Sequence, residues 1–304
     1  MNLLARGIVL ALVAVWGLPP AVAQEKPTAP YKFTKDEVSK YEVVGELRIS
    51  LAGSHKDFIK DGNQEPIKMS YKAQFENVVL AVNPTDGVAG MERRVRTLTA
   101  EGMVQGNPFK YAFDRAKDLG KPAGANEGPD TVAGLFRTWC TEPLKFAVSA
   151  DGKYACSTPN YDQLVNKAGA MYWFVGTEAK PWLTEERIAA PLLHNKVIIE
   201  FKNEFTRTKM DGSRKLIVIG ATPRVKGSEE PPPQAPRIAE GPVEFTVTGG
   251  KNEVQFDMTN HRLQSVNLDL KIRLSGKGPV ADGSLGDIKG EVTFTESQKY
   301  KEKD

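Results

Sequence analysis

The sequence has little of what most enzymatic chemistry requires. It contains three histidines, His55, His194 and His261, far apart and none at metal-ligand spacing from another. Its two cysteines, Cys140 and Cys156, lie near no histidine in the chain and are too few for a zinc site. No Gly-x-Ser-x-Gly elbow occurs: the nearest stretch, Gly283-Ser284-Leu285-Gly286, has Asp282 where the first glycine belongs. Ser-x-x-Lys and His-Glu-x-x-His are missing too, and Gly276-Lys277 lacks the remainder of a phosphate loop. Asp57 to Gly62 has the outline of a calcium loop, but Ile59 and Lys68 occupy ligand positions. These absences leave no catalytic residue, metal ligand or cofactor to assign.

Charge of one sign is also lacking. Lys and Arg number 41 against 38 Asp and Glu, a net +3, which gives no electrostatic footprint for nucleic acid or an anionic membrane. Beyond the first 23 residues no apolar run approaches the roughly 20 residues of a membrane-spanning helix.

The N-terminus supplies the clearest positive signal. Arg6 precedes an apolar run from Ile8 to Trp16, Gly17, Pro19 and Pro20 break it, and Ala21-Val22-Ala23 gives the small residues of a signal-peptidase site before Gln24. Residues 1–23 therefore read as a secretory signal peptide, with no cysteine for lipidation and no twin arginine ahead of the run. The mature chain is expected to be exported, periplasmic or secreted, without an integral membrane segment. Export also makes a disulfide between Cys140 and Cys156 the expected state of the pair.

Two-residue alternation dominates the mature sequence. Tyr41, Val43, Leu47, Ile49 and Leu51 alternate with Glu42, Glu46, Arg48 and Ser50. Ile67, Met69, Tyr71, Ala73 and Phe75 repeat the pattern, as do Val197 to Phe205, Val266 to Leu274 and Ile288 to Phe294. Each such strand has one apolar and one wet face, the mark of antiparallel sheet. Asp211-Gly212, Gly249-Gly250 and Asn260-His261 supply turns, so Lys196–Lys226 and Pro242–Ser275 read as long hairpins. Strands this long with one polar face imply a curved sheet.

Helical spacing is confined to the middle. Val132, Leu135, Phe136 and Trp139 recur at helical intervals after Asp130. Thr158-Pro159 starts a second helix, and a third is expected from Thr184 to just before Pro191. The fold class is thus α+β and mostly β: a large curved antiparallel sheet, half-barrel or barrel-like, with a short helical insert at 130–191. Residues 24–40 form an N-terminal extension, trailing over 24–35. Residues 41–296 form one β-rich domain, with a loop at 117–130 and a Pro-rich loop at 227–242, and 297–304 are a charged, frayed tail.

Met171-Tyr172-Trp173-Phe174, with Trp182 close behind, is the densest apolar feature. These five residues either line a site for a lipid or other apolar ligand or plug the concavity of the sheet. A competing reading is an envelope hydrolase using His194 or His261 with Asp257 or Glu200, and another a structural component of the envelope.

The leader, the alternating strands, the central helices and the pattern Phe256-Asp257…Arg262-Leu263…Leu268-Asp269-Leu270 resemble exported bacterial β-rich proteins. The arrangement is similar to the half-barrels of periplasmic lipoprotein carriers. That resemblance implies a concave apolar face for acyl chains, and it carries over no site residue. The expectation is an exported, non-catalytic protein that binds an apolar ligand or a protein partner in the cell envelope.

Overall fold

Alternation becomes sheet over most of the described residues. The computed structural model describes residues 31–52, 65, 67–104, 106–124, 132–152, 154–156, 180–189, 196–229, 243–279 and 284–301. In chain order the strands are β1 (Val38–Ala52), β2 (Ile67–Val82), β3 (Ala89–Val104), β4 (Asn107–Asp114), β5 (Leu144–Val148), β6 (Tyr154–Cys156), β7 (Trp182–Ala189), β8 (Lys196–Asp211), β9 (Arg214–Glu229), β10 (Glu244–Gly249), β11 (Asn252–Asp257), β12 (Arg262–Pro279) and β13 (Leu285–Lys301). Two helices, α1 (Arg115–Asp118) and α2 (Val132–Thr141), separate β4 from β5.

All thirteen strands join one antiparallel sheet in the order β6-β5-β3-β2-β1-β13-β12-β11-β9-β8-β7. β4 lies beside β5 along the edge of β3, and β10 lies beside β11 along β12. Among the described residues β6 and β7 do not pair, so the sheet is open. The first and last strands, β1 and β13, pair at its centre from Lys40↔Lys301 to Ala52↔Lys289.

The sheet is rolled, and Tyr31 measures how far. Its backbone N–H donates to the Ala150 carbonyl, just beyond β5, at 3.0 Å, while its ring meets Phe256 of β11 edge-on at 4.9 Å. Six strand steps separate β5 from β11, which in a flat sheet would set them about 29 Å apart at roughly 4.8 Å per step. Bulges assist the rolling: register shifts fall at Gln74/Phe75, Val79/Ala81, Ile198/Ile199, Phe205/Arg207, Val247/Gly249 and Gln255/Phe256. Each adds a residue to one strand and sharpens the local twist.

The core occupies the inner face. Tyr41, Val43, Ile49 and Leu51 of β1 pack there with Tyr71, Ala73 and Phe75 of β2, Ile199 and Phe201 of β8, Ile219 of β9 and Leu270, Ile272 and Leu274 of β12. α2 caps one flank through Phe136, whose ring lies 5.9 Å from Tyr111 and 6.3 Å from Phe109 of β4.

Several expectations need correction. The helix expected from Thr184 is β7: Thr184 lies opposite Phe201, and the Asn203 amide donates to its hydroxyl at 2.9 Å. Pairing with β8 overrides the helical propensity of Glu185-Glu186-Arg187. The span 130–191 also holds β5 and β6, and α2 is its one described helix. The helix expected at Thr158 lies outside the described residues. The extension does not trail from Tyr31 onward, since Tyr31 is buried and Asp36 and Glu37 pair with Val79. Nor does the tail fray from 297: β13 continues to Lys301 in the middle of the sheet. Gly227–Glu229 of the Pro-rich loop belong to β9, and Lys117-Asp118 of the 117–130 loop belong to α1. Gly249-Gly250 is a break between β10 and β11, which both pair with β12, and the Pro242–Ser275 hairpin turns at 258–261, the turn expected of Asn260-His261.

Candidate functional site

The inner face is mainly apolar, with polar side chains along the C-terminal half of β13 and at Asn77 and Arg93 of β2 and β3. The alternation Ile288, Val292, Phe294 continues inward through Glu296, Gln298 and Tyr300, which lie in register with Gly45, Val43 and Tyr41 of β1. Glu296 and Gln298 are both buried, Gln298 completely.

Glu296 is served from two strands away. Tyr71 of β2 donates its hydroxyl proton to Glu296 Oε2, its ring crossing β1 at Gly45, the residue in register with both. Gly45 is required for that path, because a Cβ there would lie 2.6 Å from Tyr71 Cε1. Burial, and then the neighbouring carboxylate, push the Tyr71 hydroxyl well above the usual tyrosine range, so it stays protonated and donates.

Gln298 is not served. Neither its Nε2 nor its Oε1 has a hydrogen-bond partner. An unpaired buried polar group costs about 1–3 kcal/mol. Arg262 Nε and Gln264 Oε1, near the start of the adjoining β12, are likewise buried without partners. Gln264 is the extra residue of the Gln255/Phe256 bulge. Arg262 is held from the other side: Nη1 donates to the Tyr300 hydroxyl at 2.9 Å and the guanidinium lies over the Tyr300 ring. Along the β12–β13 pair the unpaired buried atoms are thus those of Gln298, Arg262 Nε and Gln264 Oε1 towards one end and Asp269 Oδ1 further along β12.

A second inward charge is fully accommodated. Arg93 of β3 is buried, with Nε 3.4 Å from Asn77 Oδ1 and its guanidinium over Phe75 and Phe146. A groove of about 600 Å³ lies at the β1–β4 end, where the core-packed side chains of Met69 and Phe109 meet Glu46, Lys68, Glu101 and Lys110.

Of the five expected ligand-binding residues, Trp182 is placed on β7, half-buried against the core with its ring 5.0 Å from Phe205. Met171, Tyr172, Trp173 and Phe174 lie outside the described residues. Cys140 is buried at the end of α2 and its thiol is pushed up to about 12, by burial first, against a hydrogen bond from Tyr111 and the charges of Arg115 and Arg137. The backbone of Cys156 lies on β6 opposite Phe146, its side chain outside the described residues.

The carboxylates considered for a hydrolytic site have structural partners. Asp257 Oδ1 accepts from the N–H groups of Thr259 and Asn260 at 2.9 and 3.0 Å, and Oδ2 accepts from the Asn260 side chain. It thereby fixes the turn in which His261 adopts a φ of +53°. Glu200 pairs with Arg224 at 2.5 Å. His55 and His194 lie outside the described residues. Among the described residues no group of three His, Cys, Asp or Glu side chains is placed to hold a metal, and no helix is long and apolar enough to cross a membrane.

The sequence reading missed Tyr71, Glu296 and Gln298 as a set. Their signal was present, since Glu296 and Gln298 keep the parity of Ile288, Val292 and Phe294 and so fall on the buried side.

No protein family and no curated protein matches the sequence. A solved structure concerned with lipid–protein interactions in lipovitellin superposes with a TM-score of 0.44 at 8% identity, over 89% of this chain and 26% of that one. The chain spans about a quarter of the lipovitellin chain.

Proposed function

We propose that the protein is exported to the cell envelope and, without catalysis, holds an apolar ligand against the concave face of its sheet. The observation that supports this reading is an open, rolled sheet whose inner side chains are mainly apolar from β4 to β8, with Asn77, Arg93, Glu296 and Gln298 set among them. Among the described residues, α2 packs on one flank of that face through Phe136. Concave sites lined by apolar and aromatic groups with a few convergent polar atoms are the usual form of a small-molecule site. Trp182, packed against the core on β7, belongs to this site as a reporter of occupancy.

Mature protein starting at Gln24, purified from the envelope fraction, is expected to carry extractable lipid. After delipidation it should bind a fluorescent fatty acid saturably, with competition by palmitate and a change in tryptophan emission. Protein that remains in the cytoplasm with its leader attached sinks the export half of the proposal. Clean protein with no saturable uptake of any acyl probe sinks the ligand half, and leaves an envelope protein as the partner to seek.

A further inference from the structure

We propose that the groove at the β1–β4 end binds a small anionic amphiphile, a single carboxylate on an apolar chain, with Lys68 receiving the carboxylate. This groove is a site additional to the concave face and does not depend on what that face holds.

Strand register builds the site. Glu46, Ser70, Glu101 and Lys110 lie in one row across β1, β2, β3 and β4. Two residues along, Lys68, Met103 and Pro108 form the next row across β2, β3 and β4. Residues two apart on a strand share a face, so the two rows are neighbours. Gly102 sits between them on β3, where a Cβ would strike the Lys68 carbonyl oxygen, so only glycine fits as the β2 and β3 backbones close up under the groove. Met69 and Phe109, packed against the core, line the same space. Its volume of about 600 Å³ falls inside the range of small-molecule sites, roughly 300–1,000 Å³.

Charge and apolar lining together select the ligand. Glu46 is paired with Arg48 at 2.5 Å, and Glu101 with Lys110 at 3.4 Å. Among the described residues Lys68 has neither a hydrogen bond nor an ion pair, so the unmatched charge of the groove is one cation. Directly opposite it in register, Met103 leaves 41% of its surface exposed. A methionine side chain is flexible and polarisable and moulds itself to an apolar chain of no fixed shape. A carboxylate on the Lys68 ammonium therefore lays its chain along Met103, Pro108 and Phe109. A cationic head would be repelled by Lys68 and would find both carboxylates engaged, and a neutral head would leave the ammonium unmatched.

The test titrates the full mature protein, labelled with ¹³C at its methionine methyls, with decanoate, decanol and decyltrimethylammonium at neutral pH below micelle formation. Decanoate should shift the Met69 and Met103 resonances saturably and leave buried Met91 and exposed Met210, which lie outside the groove, unmoved. It should bind about threefold or more tighter than decanol, a preference that shrinks with added salt as for any partly screened ion pair. Decyltrimethylammonium should bind weakest. Lys68→Gln, a change at an exposed position, should erase the preference, and Lys68→Arg should keep it. Met103→Glu should remove decanoate binding. An unchanged preference in Lys68→Gln overturns the inference, as do shifts that reach Met210 equally. A shift confined to Met91 overturns it too, and places the amphiphile on the concave face instead.

Discussion

Tyr71 on β2 donates its hydroxyl proton to Glu296 on β13 across the bare backbone of Gly45 on β1, so three adjacent strands at the centre of the sheet share one hydrogen bond. A carboxylate buried in an apolar core is costly unless it is paired. Here a glycine opens the path, a tyrosine fills it, and a glutamate on the last strand ends it. The bond also ties the second strand to the last across the first.

Tyr71→Phe should therefore cost more than a surface hydroxyl would. The change strips one donor from a buried carboxylate, and a loss of about 1.5–3 kcal/mol is expected in urea unfolding. Tyr71→Phe with Glu296→Leu should recover part of that loss, giving a coupling energy in a double-mutant cycle. The pH dependence has a definite sign. The folded state holds the Tyr71 proton well above the usual tyrosine value, whereas the unfolded chain releases it near pH 10. Its contribution is complete below about pH 10 and is lost as the pH rises beyond that, a decline that Tyr71→Phe should lack.

Gly45→Ala should clash with the ring that passes over it, destabilising by about 1–3 kcal/mol through overpacking. Tyr71→Leu shortens the side chain crossing the glycine, so Gly45→Ala should be much milder in that background. Equal cost in both backgrounds would place the glycine's importance in the backbone instead of the crossing ring.

Much of the sheet was legible because period two survives in β1, β2 and β13, where successive buried residues keep one parity, and along β12 from Val266 to Leu274. β3 was not, and its bulge explains why. Met91, Arg93 and Val95 face inward on odd numbers, Arg96 is the extra residue, and Leu98 and Ala100 continue inward on even ones. A charged Arg93 at an inward position further hides the pattern, although Asn77 and two aromatic rings accommodate it. β7 was misread because its propensity is helical and only its partner β8 makes it a strand. The polar set on β13 was misread for a related reason: Glu296 and Gln298 look like the start of a solvated tail until β1 is seen beside them.

Asp257 has a structural role in the β11–β12 turn, and its substitution should be felt in stability alone. Asp257→Ala removes three accepted hydrogen bonds from a completely buried carboxylate and should cost about 1–3 kcal/mol. His261→Gly should be tolerated and could stabilise, since the position already adopts a positive φ that glycine takes without strain. Hydrolytic activity on a broad panel of ester, peptide and glycoside substrates, lost in Asp257→Ala protein that still unfolds like wild type, would reverse this assignment.

Cys140 gives the last prediction, which concerns timing. Its thiol is enclosed and held at about 12, so at pH 8 its thiolate fraction is roughly a thousandfold below that of a free cysteine. Reduced, folded protein should resist iodoacetamide at Cys140 until denaturant is added. Because the folded value is raised, the thiol's stabilising contribution is complete below about pH 8.5 and is lost as the pH climbs from there towards 12. Cys140→Ala should flatten that loss. A thiol so protected cannot readily attack once folding has enclosed it, so a bridge to Cys156 has to form earlier. Oxidant present during refolding should yield an intact mass lowered by two hydrogens, and oxidant added after folding should not. Exported protein in which both cysteines take up alkylating reagent without a reductant would discard the bridge and leave Cys140 as a buried thiol of the core.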